Sequence, residues 1–315
     1  MRSAPSGGSM QCLFIGQAYI DITFVADTLP TGDDKTVARD YAVSFGGNAV
    51  TAAFCCAKLG VRPDLLASVA EDWLGRMFID MAAKYGVSLH HRKVVESSLS
   101  FVMPRAGQRA IVRCRDDRYQ HPYPPLNLMG CRALHVDGHQ PDAALHYAKA
   151  CREAGILTSL DGGGLRSNTS DLLEFIDVAV VAERLCEQMR MTPGEILQFL
   201  RERGCRVGGV TMGPRGLLYY QRDSEQRLMP ALAVPTERVI DTNGAGDIFH
   251  GAYVYSYLTN PFGLWEDHFR FARAASAHAI QHLGNEASLP TLLQINEAHA
   301  EFEERRERLV LAVAE

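Results

Sequence analysis

Short apolar runs alternate with longer amphipathic stretches along most of this chain. The first run, residues 11–16 (QCLFIG), ends in glycine and predicts a central strand. Residues 18–25 and 36–45 alternate less cleanly on either side of the turn-rich LPTGDDK segment. They predict a half-exposed antiparallel pair. Residues 46–60 (GGNAVTAAFCCAKLG) open on two glycines, place Asn48 at a cap, fill with small apolar residues and close on Gly60. That pattern predicts a helix packed tightly against something flat. A strand over 64–69 and a helix over 74–85 follow, ended by Gly86, and then a second hairpin, 98–104 with 109–115, around Ala106-Gly107.

Beyond Pro125 the order becomes regular. Strands are expected over 132–137, 156–161, 177–182 and 206–211, with helices over 141–154, 170–175 and 193–203 between them. A hairpin (216–221 and 226–232) precedes three helices: one starting near Gly244, one over 265–283 and one over 291–305. Such alternation implies a parallel sheet covered on both faces. The two early hairpins break the rhythm and predict a small separate sheet. The expected fold class is α/β: a three-layer α/β/α, Rossmann-like core over residues 11–315, with a lid built from 17–45 and 98–116. Residues 1–10 (MRSAPSGGSM) lack an apolar segment and read as a disordered tail rather than a secretory signal.

Composition narrows the class. Of 315 residues, 47% are hydrophobic and 22% charged, which excludes disordered and fibrous classes. The formal charge of −5 gives no nucleic-acid footprint, and no run of apolar residues is long enough to span a membrane. Eight cysteines without a CxxC pair predict buried, reduced thiols in a cytoplasmic protein.

The stretch DTNGAGDIFHGA, residues 241–252, carries the chemistry. Gly244, Ala245 and Gly246 are small residues where a helix begins, and their unpaired N–H groups would attract an anion, phosphate above all. Asp247, in the same turn, would repel a phosphate; it makes sense as a base that takes a proton from an attacking hydroxyl. The plain alternative is a helix cap with a glycine turn.

With Asp241 and Thr242 before it, this stretch resembles the C-terminal signature of the PfkB, or ribokinase-like, carbohydrate kinases, and FGGNAVTAAFCCAKLG (45–60) resembles their N-terminal signature. VTMGPRG (210–216) is similar to the family's nucleotide loop. The resemblance implies the ribokinase-like fold, ATP with Mg²⁺, room for a monovalent cation, and a homodimer formed through the lid. It implies Asp247 as catalytic base and Gly244, Ala245 and Gly246 as the anion hole. Asp21, Gly46, Gly47 and Asn48 would contact the sugar, and Thr211, Gly213, Gly216 and Thr242 would lie on the nucleotide side.

One departure stands out. The family's Asn-x-x-Glu would fall in VVAERLCEQM, where Ala182 and Leu185 occupy the two positions; Glu183 is the substitute metal-side candidate. The segment LPTGDDKTVARDY (29–41) resembles the lid of a bacterial branch that includes sulfofructose kinases, and Lys35 matches that branch. Lys35 with Arg113, and Arg115 beside it, would suit an acidic group on the acceptor. His139 follows a strand's carboxyl end, where α/β ligands bind, and is a further substrate-side candidate.

Other signals are weaker. His135/His139 and His278/His282 have helical metal-pair spacing without an HExxH context. No P-loop is present, and GGGLR (162–166) reads as a flexible connection. The expected activity is ATP-dependent phosphorylation of a sugar hydroxyl. A nucleoside kinase, with Phe101 and Tyr41 stacking on a base, and a sugar-binding regulator without catalysis are the alternatives.

Overall fold

The structure, a computed structural model, describes residues 10–28, 31–105 and 108–303. The first strand is β1 (Cys12–Gly16), followed by β2 (Tyr19–Val25), β3 (Asp40–Gly46), α1 (Asn48–Leu59), β4 (Asp64–Val69), α2 (Trp73–Tyr85) and β5 (Ser88–Lys93). Next come β6 (Leu99–Arg105), β7 (Gln108–Cys114), β8 (Ala133–Val136), α3 (Pro141–Glu153), β9 (Leu157–Gly162), α4 (Thr169–Leu173), β10 (Val178–Ala182) and α5 (Glu183–Met189). The chain continues through α6 (Pro193–Glu202), β11 (Val207–Thr211), β12 (Leu217–Gln221), β13 (Arg227–Met229), α7 (Ala245–Thr259), α8 (Trp265–Ala279), α9 (Gly284–Ser288) and α10 (Leu292–Glu301).

Nine strands form the central sheet in the order β13-β12-β11-β10-β9-β8-β1-β4-β5. Neighbours from β11 to β5 are parallel, and β12 and β13 add an antiparallel edge. One apolar cluster fills the face under α1, α2, α7 and α8, and another fills the face under α3, α5 and α6. This is the expected three-layer core. From β1 the chain winds one way through β4 and β5, and from β8 the other way through β9 to β11. The order therefore reverses between β1 and β8, and such a crevice is where open α/β sheets bind ligands.

Small residues explain how α7 is held. Ala52, Cys55 and Cys56 of α1 face α7, where a Cβ on Gly251 would stand 2.4 Å from the Ala52 carbonyl. The Cys56 thiol donates to the Gly251 carbonyl at 3.0 Å. The two helices thus approach to backbone contact, and this fixes where α7 begins.

The two hairpins join into one four-stranded sheet, β3-β2-β6-β7, through a parallel β2–β6 pairing. Sheet register gives it two unlike faces. Ser44, Asp21, Ser100 and Arg113 stand side by side across its four strands on one face. The next row, Val43, Ile22, Phe101 and Val112, points the other way.

Several expectations change. Strand β5 was not expected, because SLHHRK carries no apolar alternation; it pairs as the sheet's edge, where one side needs no core partner. Helices α5 and α9 are additional, and the helix expected over 265–283 ends at Ala279. Residues 36–39 lie outside the strand that begins at Asp40. Met10 does not belong to a tail: it is buried in the core. Residues 1–9, the Ala106-Gly107 turn and the end of the expected last helix lie outside the described residues. Seven cysteines are buried, but Cys114 is exposed, because it lies on the lid's outer face at the β7 edge. No described helix is long and apolar enough to cross a membrane.

Candidate active site

The carboxyl ends of the parallel strands and the start of α7 converge below the lid. Helix α7 has Gly244 at its N-cap in the left-handed region (φ 74°) and no side-chain cap, so its first-turn N–H groups are left for a ligand. A Cβ on Gly244 would fall 2.3 Å from Asn285 Oδ1, whereas one on Gly246 would meet nothing within 4 Å. Gly244 is thus required by the fold, while Gly246 borders open space. The preceding loop is pinned by Asp241, which accepts from the Asn243 N–H at 2.8 Å and from the Gly284 N–H at 3.2 Å.

Asp247 sits in the first turn of α7. Burial, then the charge of Asp161, push its carboxyl well above the usual carboxylate range; Arg109 and Arg113 oppose them. A base so raised is matched to proton abstraction near neutral pH. Asp161, at the end of β9, is raised too, by burial and by Asp137, against Asn48, the Gly163 N–H and Arg166.

On the lid side, Asp21 is buried beneath its own sheet. Its Oδ2 accepts from the amides of Asn243 (3.2 Å) and Asn285 (3.1 Å), tying lid to core. Gly46 makes this possible, since a Cβ there would stand 2.3 Å from Asp21 Oδ1. Gly47 (φ 105°) leads into α1, and Asn48 at its start donates to Asp161 at 3.2 Å. Arg113 donates to the Ser100 hydroxyl at 3.1 Å, lies over the Tyr19 ring and acts electrostatically on both Asp21 and Asp247. His139 is bonded through its N–H and ring to Asp137, which also accepts from the Ala49 N–H. Burial alone would raise Asp137, but His139 and Arg166 hold it down to about 2.

Asp21, Asn48, Arg113, His139, Gly246 and Asp247 are therefore brought to one cleft. Gly46, Gly47, Gly244 and Ala245 belong to the same cluster through their chain neighbours, and the other candidates lie apart from it or meet other partners. Lys35 is exposed in the loop between β2 and β3. Thr242 accepts from lid Arg109 at 3.2 Å. Thr211 ends β11 and bonds back to the Val181 carbonyl, beside the Gly213–Arg215 turn. Gly216 (φ 94°) closes that turn, where a Cβ would stand 2.1 Å from the Met229 carbonyl. Glu183 is ion-paired with Arg215 at the surface.

Sequence reading missed Asp137, Asp161, Arg166, Asn243 and Asn285. Arg166 came from GGGLR, read as a flexible loop; its Nε donates to the Asp137 carbonyl at 2.8 Å. The available signal was position: Asp137 and Asp161 each end a strand on the ligand side. His278 and His282 lie with tilted rings, centroids 4.3 Å apart, and His282 Nδ1 meets the His278 carbonyl, a packing arrangement.

Known proteins resemble this chain over most of its length. The family model for the pfkB family carbohydrate kinases matches residues 10–292. A Lactococcus lactis ribokinase is 21% identical, covering 92% of this chain and 97% of the relative. An ATP-dependent ribose-1-phosphate kinase from Halopiger xanaduensis is 25% identical over 85% of this chain and 91% of the relative. A nucleoside kinase from Methanothermobacter thermautotrophicus is 22% identical, covering 88% and 92%. Among solved structures, Giardia lamblia ribokinase superposes with a TM-score of 0.78 at 17% identity, covering 93% of this chain and all of that one. Arabidopsis thaliana ribokinase, solved with ribose and ATP, gives 0.73 at 21% identity, covering 93% and 99%.

Proposed function

We propose, from the premise that this chain belongs to the pfkB family of carbohydrate kinases, that it transfers the γ-phosphoryl group of ATP to a hydroxyl of a sugar or sugar derivative, with Asp247 as the base. The observation that carries this reading is the start of α7. Uncapped N–H groups, an open face at Gly246 and a proton-avid Asp247 occupy one turn, opposite the polar row of the lid.

Asp21 and Asn48 orient the acceptor hydroxyl toward Asp247, which takes its proton as the oxygen attacks. The backbone of 244–246 stabilises the charge that develops on the transferred group. Gly46 leaves room for the Asp21 carboxylate, Gly47 lets the chain pass the Gln17 carbonyl into Asn48, and His139 lines the strand-end side. The nucleotide occupies the side of Thr211, Gly213, Gly216 and Thr242. Mg²⁺ bound with ATP would neutralise phosphate charge, and Glu183, paired with Arg215 at the surface, is the carboxylate that would face it. A monovalent cation remains compatible with this scheme.

The acceptor we propose carries an anionic group. Arg113 is already inside the cleft, and Arg115 and Arg166 act on the same Tyr19 that Arg113 covers. The ribose-1-phosphate kinase relative is named for a phosphorylated sugar. A nucleoside acceptor is less well supported: Phe24 contacts both Phe101 and Tyr41 on the lid's outer face, away from the cleft. That outer face is apolar, and we assign it to a second copy of the chain, giving a homodimer through the lid. An enzyme of this kind works in the cytoplasm, where ATP is held.

The test is an acceptor panel with ATP and Mg²⁺, spanning neutral, phosphorylated and sulfonated ketoses and nucleosides. ADP formation dependent on a sugar, strongest with an anionic one, is expected. Turnover of nucleosides alone would overturn the reading.

A further inference from the structure

Beneath the cleft lies a buried chain of hydrogen bonds that phosphoryl transfer, as described, does not use. His135 Nδ1 meets Ser159 Oγ at 2.9 Å, Ser159 Oγ meets the Tyr253 hydroxyl at 2.6 Å, and that hydroxyl meets His250 Nδ1 at 2.8 Å. His250 Nε2 then faces Asp161 Oδ2 at 3.5 Å. All five residues are buried. His250 lies on α7 one turn after Asp247, and the Asp161 carboxylate that His250 faces acts electrostatically on Asp247. At the far end, His135 Nε2 has no hydrogen-bond partner.

We propose that Asp161 is a positioning residue that tunes the base Asp247, and that the His250–Tyr253–Ser159–His135 chain lets it change protonation state by reversing the direction of its hydrogen bonds. This rests on the assignment of Asp247 as base. With Asp161 ionised, His135 Nδ1–H donates to Ser159, Ser159 to Tyr253, Tyr253 to His250 Nδ1, and His250 Nε2–H points at the carboxylate. With Asp161 protonated, its O–H donates to His250 Nε2 and every bond runs the other way, leaving N–H on His135 Nε2. The two arrangements differ by one proton exchanged with water, and each keeps both imidazoles neutral.

Neutral rings suit their burial, which lowers the proton affinity of His250 and of His135 far below the usual imidazole range. The other groups facing Asp161 are Asp137 from the end of β8, Arg166 after β9, Asn48 from α1 and Asp247 from α7. Those facing Asp247 are Asp161, Asp21 and the lid residues Arg109 and Arg113. The nearest donor atoms of His135, Asp161 and His250 lie within 4.8 Å of one another, which also admits a bound metal. The bonds on both Nδ1 atoms leave the two Nε2 atoms and Asp161 as the atoms a metal would take, so metal content is one readout of the experiment.

The experiment uses the full chain in two arms. The first follows the ring ¹⁵N shifts of His135 and His250 from pH 5 to 9 without substrate, resonances being assigned with His135→Gln. Both tautomers should reverse together in the wild type, without an imidazolium signal. In Ser159→Ala, His250 should still reverse and His135 should not. The second arm compares kcat/KM against pH for the wild type and Asp161→Asn. Loss of the neighbouring charge should move the acid limb at least one unit lower. Tautomers that stay fixed, a His135 that still reverses in Ser159→Ala, an unmoved acid limb, or stoichiometric metal in the purified chain would each overturn the proposal. The first arm needs no turnover, so it stands apart from any failure of the base assignment.

Discussion

Arg109 on the lid reaches across the cleft to Thr242 on the core, its Nη1 standing 3.2 Å from the Thr242 hydroxyl and 3.3 Å from its carbonyl oxygen. Thr242 lies in the loop that leads into α7, so this contact couples lid position to the start of the anion-binding turn. Arg109→Ala should lower kcat/KM about fivefold, matching ~1 kcal/mol for a charge-assisted bond at an exposed site. Steady-state kinetics with a thermal melt checks this: the melting temperature should stay unchanged while the kinetics move.

The two glycines at the start of α7 should separate folding from catalysis. Gly246→Val adds its side chain into open space, so the protein should fold and bind sugar but lose ~3–4 kcal/mol of transition-state stabilisation. Gly244→Val meets Asn285 from a left-handed backbone and should be destabilised outright. Circular dichroism melts beside turnover numbers distinguish the two. A folded, fully active Gly246→Val protein would reduce the loop to a turn.

Two exposed lid cations should rank differently. Arg113→Met removes a guanidinium fixed by Ser100 and Tyr19 on the lid's polar face, and should raise the acceptor KM tenfold or more without changing the KM for ATP. Lys35 has no such anchor among the described residues, and a loosely held exposed pair contributes only ~0.2–1 kcal/mol, so Lys35→Met should change the acceptor KM less than sixfold. Equal effects from the two variants would place Lys35 in the cleft of the closed enzyme.

The lid's outer face should hold a second copy. Tyr41 is 66% exposed and Val112 is 67% exposed on a face shared with Ile22, Phe24 and Phe101. Such an apolar patch implies a partner. Light scattering at micromolar concentration should give the mass of a dimer, and Val112→Glu should give a monomer. A wild-type monomer would refute the lid interface.

Much of this architecture was legible in the chain. The strand–helix alternation after Pro125 gives the parallel sheet, and the small residues of 46–60 foretell the close α1–α7 packing. DTNGAGD marks the helix start and puts Asp247 in its first turn. What stayed hidden depends on long-range pairing. Strand β5 has a polar pattern because it is an edge, and its sequence alone does not reveal the partner β4. Asp161 and Asp137 carry no motif; they matter because parallel pairing brings the ends of β8 and β9 beneath α7. His250 belongs to the recognised motif, but its role depends on Tyr253 and Ser159. The pairing of Glu183 with Arg215 is likewise not disclosed by a linear reading.

The central claim is that Asp247 removes the proton from the acceptor hydroxyl. The most direct measurement is turnover by Asp247→Asn, with ATP and acceptor binding measured on the same preparation. Asparagine keeps the shape and loses the base, so kcat should fall by ~10²–10⁴ with both ligands still bound. Since burial and Asp161 hold the wild-type carboxyl up to about 8, wild-type activity should rise with pH toward that value, while the residual activity of the variant should lack that limb. Turnover by Asp247→Asn comparable to wild type, with the same pH profile, would contradict the account.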